Sequence, residues 1–117
     1  MQAGLNEKNI DPYKSGVIWG TGNGGMQTMD EELDKLYGST YTSKPSPYFV
    51  PKVLLNMPSG IISITHGLKG LCHTTVSACA SANTALIDAA NYIKLGKADM
   101  IVCGGSEAPI TLSLIHI

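Results

Sequence analysis

The distribution of hydrophobic and polar residues predicts short apolar strands that alternate with amphipathic helices. Residues 26–37 place apolar side chains at the spacing of one helix face, at Met26, Met29, Leu33 and Leu36. Three shorter segments are instead β-branched or continuously apolar, which favours strands at residues 16–20, 73–78 and 99–103. The resulting order of strand, helix, helix, strand, helix and strand predicts an α/β chain.

Two further helices are predicted, and each has a distinctive feature. Pro51 suits the first turn of a helix, whereas Pro58 lacks a backbone donor and is expected to break or kink the apolar pattern around it. The last helix, from Cys79 or Ala80 to residue 95, is rich in alanine and has a single acidic residue. A helix that is apolar nearly all round is normally buried on all sides. We therefore expect a buried central helix.

Composition and charge are those of a folded protein without a strong net charge. Hydrophobic residues make up 44% and charged residues 15% of the 117 positions, and eight lysines face nine acidic residues. Disorder, nucleic-acid binding and a membrane segment are therefore not indicated, and a cytoplasmic protein is expected. Between Asp34 and Asp88 there are lysines but no acidic residue: Lys35, Lys44, Lys52 and Lys69. This segment could attract an acidic partner, although charge alone favours individually solvated lysines.

The cysteines indicate reactivity at one position rather than cross-linking. Cys72, Cys79 and Cys103 are an odd number without short paired spacing, which argues against a disulfide framework or a zinc site. Cys79 lies where a β-branched strand gives way to the apolar helix, among small residues that tolerate a sharp turn. The N–H groups at a helix start favour the thiolate and can receive an oxyanion. From these residues alone, a catalytic nucleophile and a small core cysteine both remain open.

A glycine-rich segment at residues 20–25 satisfies the fingerprint of dinucleotide-binding loops, between a strand and a helix. That fingerprint also requires an Asp or Glu about twenty residues further on, which holds the ribose. The acid-free stretch after Asp34 covers that position. A tight strand-to-helix turn is therefore the favoured interpretation, and a small binding module built around this loop is not supported.

The residues around Cys79 carry a resemblance to a known enzyme family. Residues 76–85 (Val-Ser-Ala-Cys-Ala-Ser-Ala-Asn-Thr-Ala) closely resemble the active-site signature of the type II, elongating β-ketoacyl-acyl-carrier-protein synthases. The similarity continues through residues 46–51 (Ser-Pro-Tyr-Phe-Val-Pro), 56–64, 67–70, 96–99 and 104–108 (Gly-Gly-Ser-Glu-Ala). It includes the glycine-rich segment and covers nearly the whole chain up to Ala108. Leu71 and Pro58 depart from the family pattern, in supporting structure.

This resemblance implies part of a thiolase-like α/β/α/β/α layered fold, usually dimeric, with Cys79 as the nucleophile. Cys79 would accept an acyl group from an acyl carrier protein, and its backbone amide would contribute to the oxyanion hole. Malonyl carrier protein would then supply the carbanion that lengthens the chain, without a metal or organic cofactor. Asn23 stands where the family places an apolar gate of the acyl pocket, so its polarity leaves the chain-length preference open. Lys44 matches a basic position that docks the carrier protein.

Some groups implied by the resemblance are not in this chain. The family's two catalytic histidines and its lysine lie further downstream, so His66 and His73 are expected to be structural. We expect residues 1–111 to be a partial N-terminal domain truncated at both ends, which exposes apolar surface and is inactive alone. Residues 112–117 match a sequencing-adapter reading frame and are expected to be read-through. Cys72 and Cys103 are expected in the core, and Glu107 is expected to be a buried anchor of the turn after the last strand.

Two other functions remain open. A thiolase or a starter-type synthase that uses coenzyme A thioesters shares the fold and the cysteine. The sequences at residues 46–51 and 77–81 resemble the elongating synthases more closely. A non-catalytic partner like a chain-length factor would shape the pocket of its dimer mate, but such partners usually lack the cysteine that is present at position 79.

Overall fold

The structure is a computed structural model that describes residues 9–38 and 44–111. Within these ranges a short 3-10 turn at Pro12–Lys14 precedes three strands and four α-helices. In chain order these are β1 (Ser15–Gly20), α1 (Met26–Tyr37), α2 (Phe49–Val53), α3 (Met57–His66), β2 (Cys72–Thr75), α4 (Ser81–Lys94) and β3 (Met100–Gly105). No helix of the described ranges is long and apolar enough to cross a membrane. The adapter hypothesis concerns residues 112–117, which lie outside the described residues, and it stays a prediction.

The three strands form a parallel sheet in the order β2–β1–β3. In the central strand β1, Val17 lies opposite Cys72 on one side and Val102 on the other. Val17 and Ile18 point to opposite faces of the sheet, and both are fully buried. The centre of the sheet is therefore covered on both faces, as parallel sheets require. This arrangement confirms the predicted α/β class.

The helix boundaries follow from the local sequence. The helix α1 covers the predicted residues, and the N–H of Gly38 closes it by donating to the carbonyl oxygen of Asp34 at 2.7 Å. Pro58 is the second residue of α3, where a missing N–H removes no helical hydrogen bond. The break therefore comes before Pro58, earlier than predicted, since α2 ends at Val53 and α3 begins at Met57. The helix α3 ends at Gly67, which adopts the left-handed conformation with φ of 64°.

The helix α4 packs across β1 and β3 and supplies much of the small core. Ile18, Ala85 and Ala89 pack together and are at most 4% exposed. On the same helix, Leu86 and Ile87 are 51% and 60% exposed. Among the described residues the sheet covers only one face of α4, so the apolar surface expected of the isolated chain is present.

The two cysteines outside the candidate site differ in burial. Cys103 is half-buried and packs against the core cluster, close to its predicted position. The prediction that Cys72 lies in the core was wrong, because Cys72 is exposed at the start of β2. The described residues place β2 at the edge of the sheet, so β1 covers it on one side only.

Candidate active site

Cys79 lies in a tight turn, residues 76–80, that connects β2 to α4; we call it the Cys79 turn. The residue before the cysteine, Ala78, has φ of 49°, in the left-handed region that alanine rarely adopts. Such a conformation costs about 1–2 kcal/mol and persists only where surrounding contacts impose it. Cys79 itself is exposed. This turn explains why β2 ends earlier than predicted, at Thr75, and why the helix begins two residues after the cysteine, at Ser81.

The side chain of Ser81 holds this turn in place. Its hydroxyl accepts a hydrogen bond from the backbone N–H of Ser77 at 2.9 Å and donates to the carbonyl oxygen of Ala78 at 2.6 Å. The same hydroxyl lies 3.2 Å from the carbonyl oxygen of Thr21, which follows β1. Ser81 is only 3% exposed, so water competes little for these contacts. One buried hydroxyl therefore ties together both sides of the strained residue.

The start of α4 approaches β1 more closely than a side chain would allow. A Cβ on Gly20 would overlap the backbone of Ser81, so only glycine at the end of β1 permits this contact. The N–H groups of Ala80 and Ser81 donate to carbonyl oxygens within the Cys79 turn, at 3.0 and 3.1 Å. Those two amides serve the turn. The oxyanion role of the Cys79 amide stays a prediction.

A cavity of about 640 Å³ opens beside Cys79. Its lining includes Cys79 and Val76 from the Cys79 turn, and Asn23 from the glycine loop, residues 21–25. The structure therefore brings the predicted nucleophile and the predicted gate position to one cavity. Lys44 is exposed in the segment before α2 and does not line this cavity.

The carboxylate of Glu107, just after β3, binds the glycine loop. Its Oε2 accepts hydrogen bonds from the N–H groups of Gly22 and of Asn23, the latter at 2.9 Å, and from the hydroxyl of Thr21 at 3.3 Å. Desolvation acts to raise the pKa of Glu107, but the donors of the loop, with Asn23 first, hold this pKa below its ordinary value of 4.5. Glu107 is thus an anchor as predicted, but an exposed one, because only its Oε2 is engaged by the loop.

This contact also accounts for the glycine fingerprint without a nucleotide. In a dinucleotide site the loop amides point at a phosphate, whereas here the amides of Gly22 and Asn23 point at an internal carboxylate. A carboxylate already fills the anion-binding position of the loop. The favoured interpretation of a structural turn therefore has a physical basis.

Neither histidine of the described residues lines the cavity beside Cys79. The Nε2 atom of His73 lies 3.8 Å from Oδ2 of Asp88, and its ring centroid lies 6.0 Å from that of Tyr92, so it links β2 to α4. His66 is the exposed last residue of α3. The contacts of His73 fit the structural role expected for it, whereas the structural role of His66 stays a prediction.

A second cavity, of about 720 Å³, is lined by the other end of the glycine loop, at Gly24 and Gly25. The rest of its wall is mainly apolar and includes Trp19, Tyr48, Leu54, Leu55, Met57 and Ile62. Sequence reasoning missed this cavity, because its walls come from β1, α2, α3 and the segments between them. Sequence reasoning also missed the role of Ser81. The sequence indicates only that a small hydroxyl residue lies two positions after Cys79.

Comparison with known proteins gives consistent matches. The family model of the β-ketoacyl synthase N-terminal domain matches residues 1–116. The chain is 42% identical over 104 residues to a putative mitochondrial 3-oxoacyl-[acyl-carrier-protein] synthase of Schizosaccharomyces pombe, covering 85% of this chain and 24% of that protein. It is 40% identical over 101 residues to the chloroplastic 3-oxoacyl-[acyl-carrier-protein] synthase I of Arabidopsis thaliana, covering 86% and 21% respectively.

A solved structure shows the same fold. It contains a type II polyketide acyl carrier protein in complex with its ketosynthase, bound to the hexaketide. The TM-score is 0.82 at 24% identity, and the match covers 94% of this chain and 31% of the other. The chain spans about a fifth to a quarter of the length of the two curated synthases from Arabidopsis thaliana and Schizosaccharomyces pombe.

Proposed function

Because the chain belongs to the β-ketoacyl synthase family, we propose that it carries the nucleophile of a 3-oxoacyl-[acyl-carrier-protein] synthase of fatty acid elongation. The observation that carries this proposal is Cys79 itself, exposed in a strained strand-to-helix turn beside a cavity. The names of the curated relatives support the reaction class. The proposed activity is that of a complete synthase containing this segment.

The proposed reaction has two steps, and Cys79 takes part in both. The Cys79 thiolate attacks the thioester carbonyl of an acyl carrier protein, the carrier thiol leaves and takes up a proton, and the acyl group stays on Cys79. Malonyl carrier protein then loses carbon dioxide, and the resulting carbanion attacks the acyl-Cys79 carbonyl. A carbon–carbon bond forms while the carbon–sulfur bond breaks, which releases the β-ketoacyl product and restores the thiolate. Storage on Cys79 lets the enzyme exchange one carrier for the other.

Contacts among the described residues support the proposed first step. The network of Ser81 keeps the Cys79 turn in its strained form, and Gly20 lets the start of α4 sit directly against β1. We propose that the N-terminus of α4 beside Cys79 contributes partial positive charge that stabilises the developing oxyanion. In this proposal the turn presents the sulfur of Cys79 to the cavity.

The proposal also includes partners and location. An acyl carrier protein is acidic enough to be attracted by a basic surface residue, and Lys44 is exposed and available for such a contact. We further propose that the complete synthase is a cytoplasmic homodimer and requires no metal or organic cofactor. The presence of Cys79 disfavours the alternative of a non-catalytic partner.

A chimera tests the proposed function directly. Residues 9–111 of this chain would replace the matching segment of the 40% identical chloroplastic synthase. We expect the chimera to form 3-oxoacyl product and to carry an acyl group on Cys79 by mass spectrometry. Cys79→Ala should abolish both, whereas Cys72→Ala is the matched control, since Cys72 is also exposed but lies outside the cavity.

The outcomes are distinct. Condensation by the Cys79→Ala chimera, or acylation of Cys72 instead, would overturn the proposal. The isolated 117-residue chain should release no carbon dioxide from malonyl carrier protein. Measurable decarboxylation by that chain would show that the groups expected downstream are not needed.

A further inference from the structure

The contact between Glu107 and the glycine loop is the main long-range polar link near Cys79. Three consecutive residues of the loop, Thr21, Gly22 and Asn23, donate to one oxygen atom of Glu107. These donors lie 84 to 86 positions away from Glu107 in the chain. Hydrogen bonds to a charged acceptor are about twice as strong as neutral ones. The carboxylate therefore fixes the loop relative to the end of β3.

The glycine loop lines both cavities, which share Thr21, Ser106 and Glu107. Its first part, with Gly22 and Asn23, lines the cavity that contains Cys79, whereas Gly24 and Gly25 line the apolar cavity. Glu107 lines both cavities. A shift of the loop away from Glu107 would therefore change the opening between the nucleophile and the apolar space.

The residue before Glu107 is held by hydrogen bonds to β1. The indole N–H of Trp19 donates to the hydroxyl of Ser106 at 3.0 Å, and the N–H of Ser106 donates to the carbonyl oxygen of Gly20 at 3.1 Å. The segment that carries Glu107 is thus tied to β1. A Cβ on Gly22 would lie 2.9 Å from Oε2 of Glu107, so a side chain at this position would displace the carboxylate from the loop.

We infer that Glu107 is a positioning residue that sets the location of Asn23. Through Asn23 it limits the length of the acyl chain that can be attached to Cys79 as a thioester. This inference rests on the proposed function of Cys79 as the acyl acceptor. Replacement of the carboxylate weakens three hydrogen bonds at once and frees the loop. The apolar cavity then becomes accessible from Cys79, which favours longer apolar groups.

Alkylation of Cys79 in the full 117-residue chain tests this without a carrier protein. Rates with iodoacetamide and with N-hexyl iodoacetamide would be measured by peptide mass spectrometry. The ratio of the two rates on one thiol cancels its nucleophilicity and reports access. We expect Glu107→Gln and Gly22→Ala to raise the ratio of the N-hexyl iodoacetamide rate to the iodoacetamide rate by roughly 3- to 10-fold. This is the effect of losing about one hydrogen bond. Asp99→Asn is the matched control, because Asp99 precedes β3 and pairs with Lys14 at 3.6 Å.

The readout separates positioning from a general structural role. Equal changes of both rates, or an unchanged ratio in both variants, would overturn the inference. Reaction of the half-buried Cys103 would reveal an unfolded variant. If Glu107→Gln is unfolded, the rate ratio of Gly22→Ala, which keeps the carboxylate, tests the inference. Unfolding of both variants would also overturn it, since Glu107 would then serve the fold rather than the opening. An inactive chimera, by contrast, would leave these ratios unaffected and would count only against the proposed function.

Discussion

At the scale of single residues, the hydroxyl of Ser81 maintains the geometry of Cys79. Ser81→Ala leaves the N–H of Ser77 without its acceptor and removes one of the two donors to the carbonyl oxygen of Ala78, the other being the N–H of Ser81. We expect the free energy of unfolding to fall by about 0.5–1.5 kcal/mol. Because Ala78 then relaxes from its left-handed conformation, we also expect the alkylation rate of Cys79 by iodoacetamide to change relative to that of Cys72.

A second serine provides the control for this prediction. The hydroxyl of Ser63 donates to the carbonyl oxygen of Leu68 at 2.6 Å, at the end of α3. Ser63→Ala should lower stability in urea unfolding but leave the reactivity of Cys79 unchanged. An unchanged Cys79 rate in Ser81→Ala would show that the turn does not depend on this hydroxyl.

The sequence indicated that Cys79 and Asn23 lie at one site, and the structure places both at one cavity, but the sequence did not indicate the contacts that hold them there. Cys79 and Asn23 were identified from local residue types and family resemblance, because both lie in short segments with a clear signature. The bonds of Ser81 to the Cys79 turn and of Glu107 to the glycine loop could not be predicted in this way. The bonds of Ser81 span only three and four positions, but they depend on the left-handed conformation of Ala78, which no residue type in the turn indicates. The bonds of Glu107 join residues 84 to 86 positions apart, which become neighbours only when β1 and β3 pair.

At the scale of elements, the contact between β1 and the start of α4 depends on the absence of a side chain at Gly20. Gly20→Ala would push the Ser81 backbone away from the strand, and we expect a loss of about 1–3 kcal/mol of unfolding free energy. Gly60, inside α3, has nothing within 4 Å of its Cβ position and is the matched control. Gly60→Ala should stabilise by roughly 0.5–1 kcal/mol, because alanine is the better helix former. Urea unfolding that ranks the two variants in the opposite order would contradict this packing.

A buried carboxylate joins α1 to the segment before α2 and makes stability depend on pH. The ammonium group of Lys35 and the N–H of Ser46 donate to Glu32 at 2.7 and 2.8 Å, and they hold the pKa of Glu32 below its ordinary value of 4.5. A depressed carboxylate pKa stabilises the fold above pH 4.5, and this contribution is lost as pH falls through the folded-state pKa. We expect Glu32→Gln to be less stable than the parent at about pH 7 and to lose less stability on acidification to about pH 3.

The neighbouring glutamate is the control for this pH dependence. Glu31 accepts a hydrogen bond from Gln27 within α1 and holds no segment outside the helix. Glu31→Gln should keep the acid dependence of the parent chain. Parallel unfolding curves for the parent and Glu32→Gln across this pH range would contradict the role of Glu32.

The elements themselves were largely predictable, and the differences occur where tertiary contacts override local preference. Periodic apolar spacing gave α1, and continuous apolar or β-branched runs gave the three strands. The strand β2 was predicted to continue through residue 78, since Val76 favours a strand locally. The Cys79 turn instead takes these residues out of the sheet, and it does so through the hydroxyl of Ser81 rather than through any property of Val76.

At the scale of the whole molecule, apolar helix faces remain exposed within the described ranges. Ile64 of α3 is 83% exposed and Ile87 of α4 is 60% exposed. The chain spans only about a fifth to a quarter of the two curated relatives' length, and we expect such faces to promote association of the isolated chain. Sequence reasoning foresaw this for α4 from its composition, but the exposure of α3 required the packing of the sheet to be known.

A charge-neutral double variant tests this expectation. Ile64→Lys with Ile87→Glu adds one positive and one negative charge, so the formal net charge stays at −1 and solubility cannot improve through net charge. We expect concentration-dependent association in sedimentation experiments to decrease, while unfolding free energy changes by less than about 0.5 kcal/mol per site. Ile110→Asn, at a residue that is 70% exposed outside the helices, also keeps the net charge at −1 and should leave association unchanged. A parent chain that stays monomeric at all concentrations would show that these faces do not bind one another. Reduced association in the Ile110 variant would instead assign the effect to general hydrophobicity.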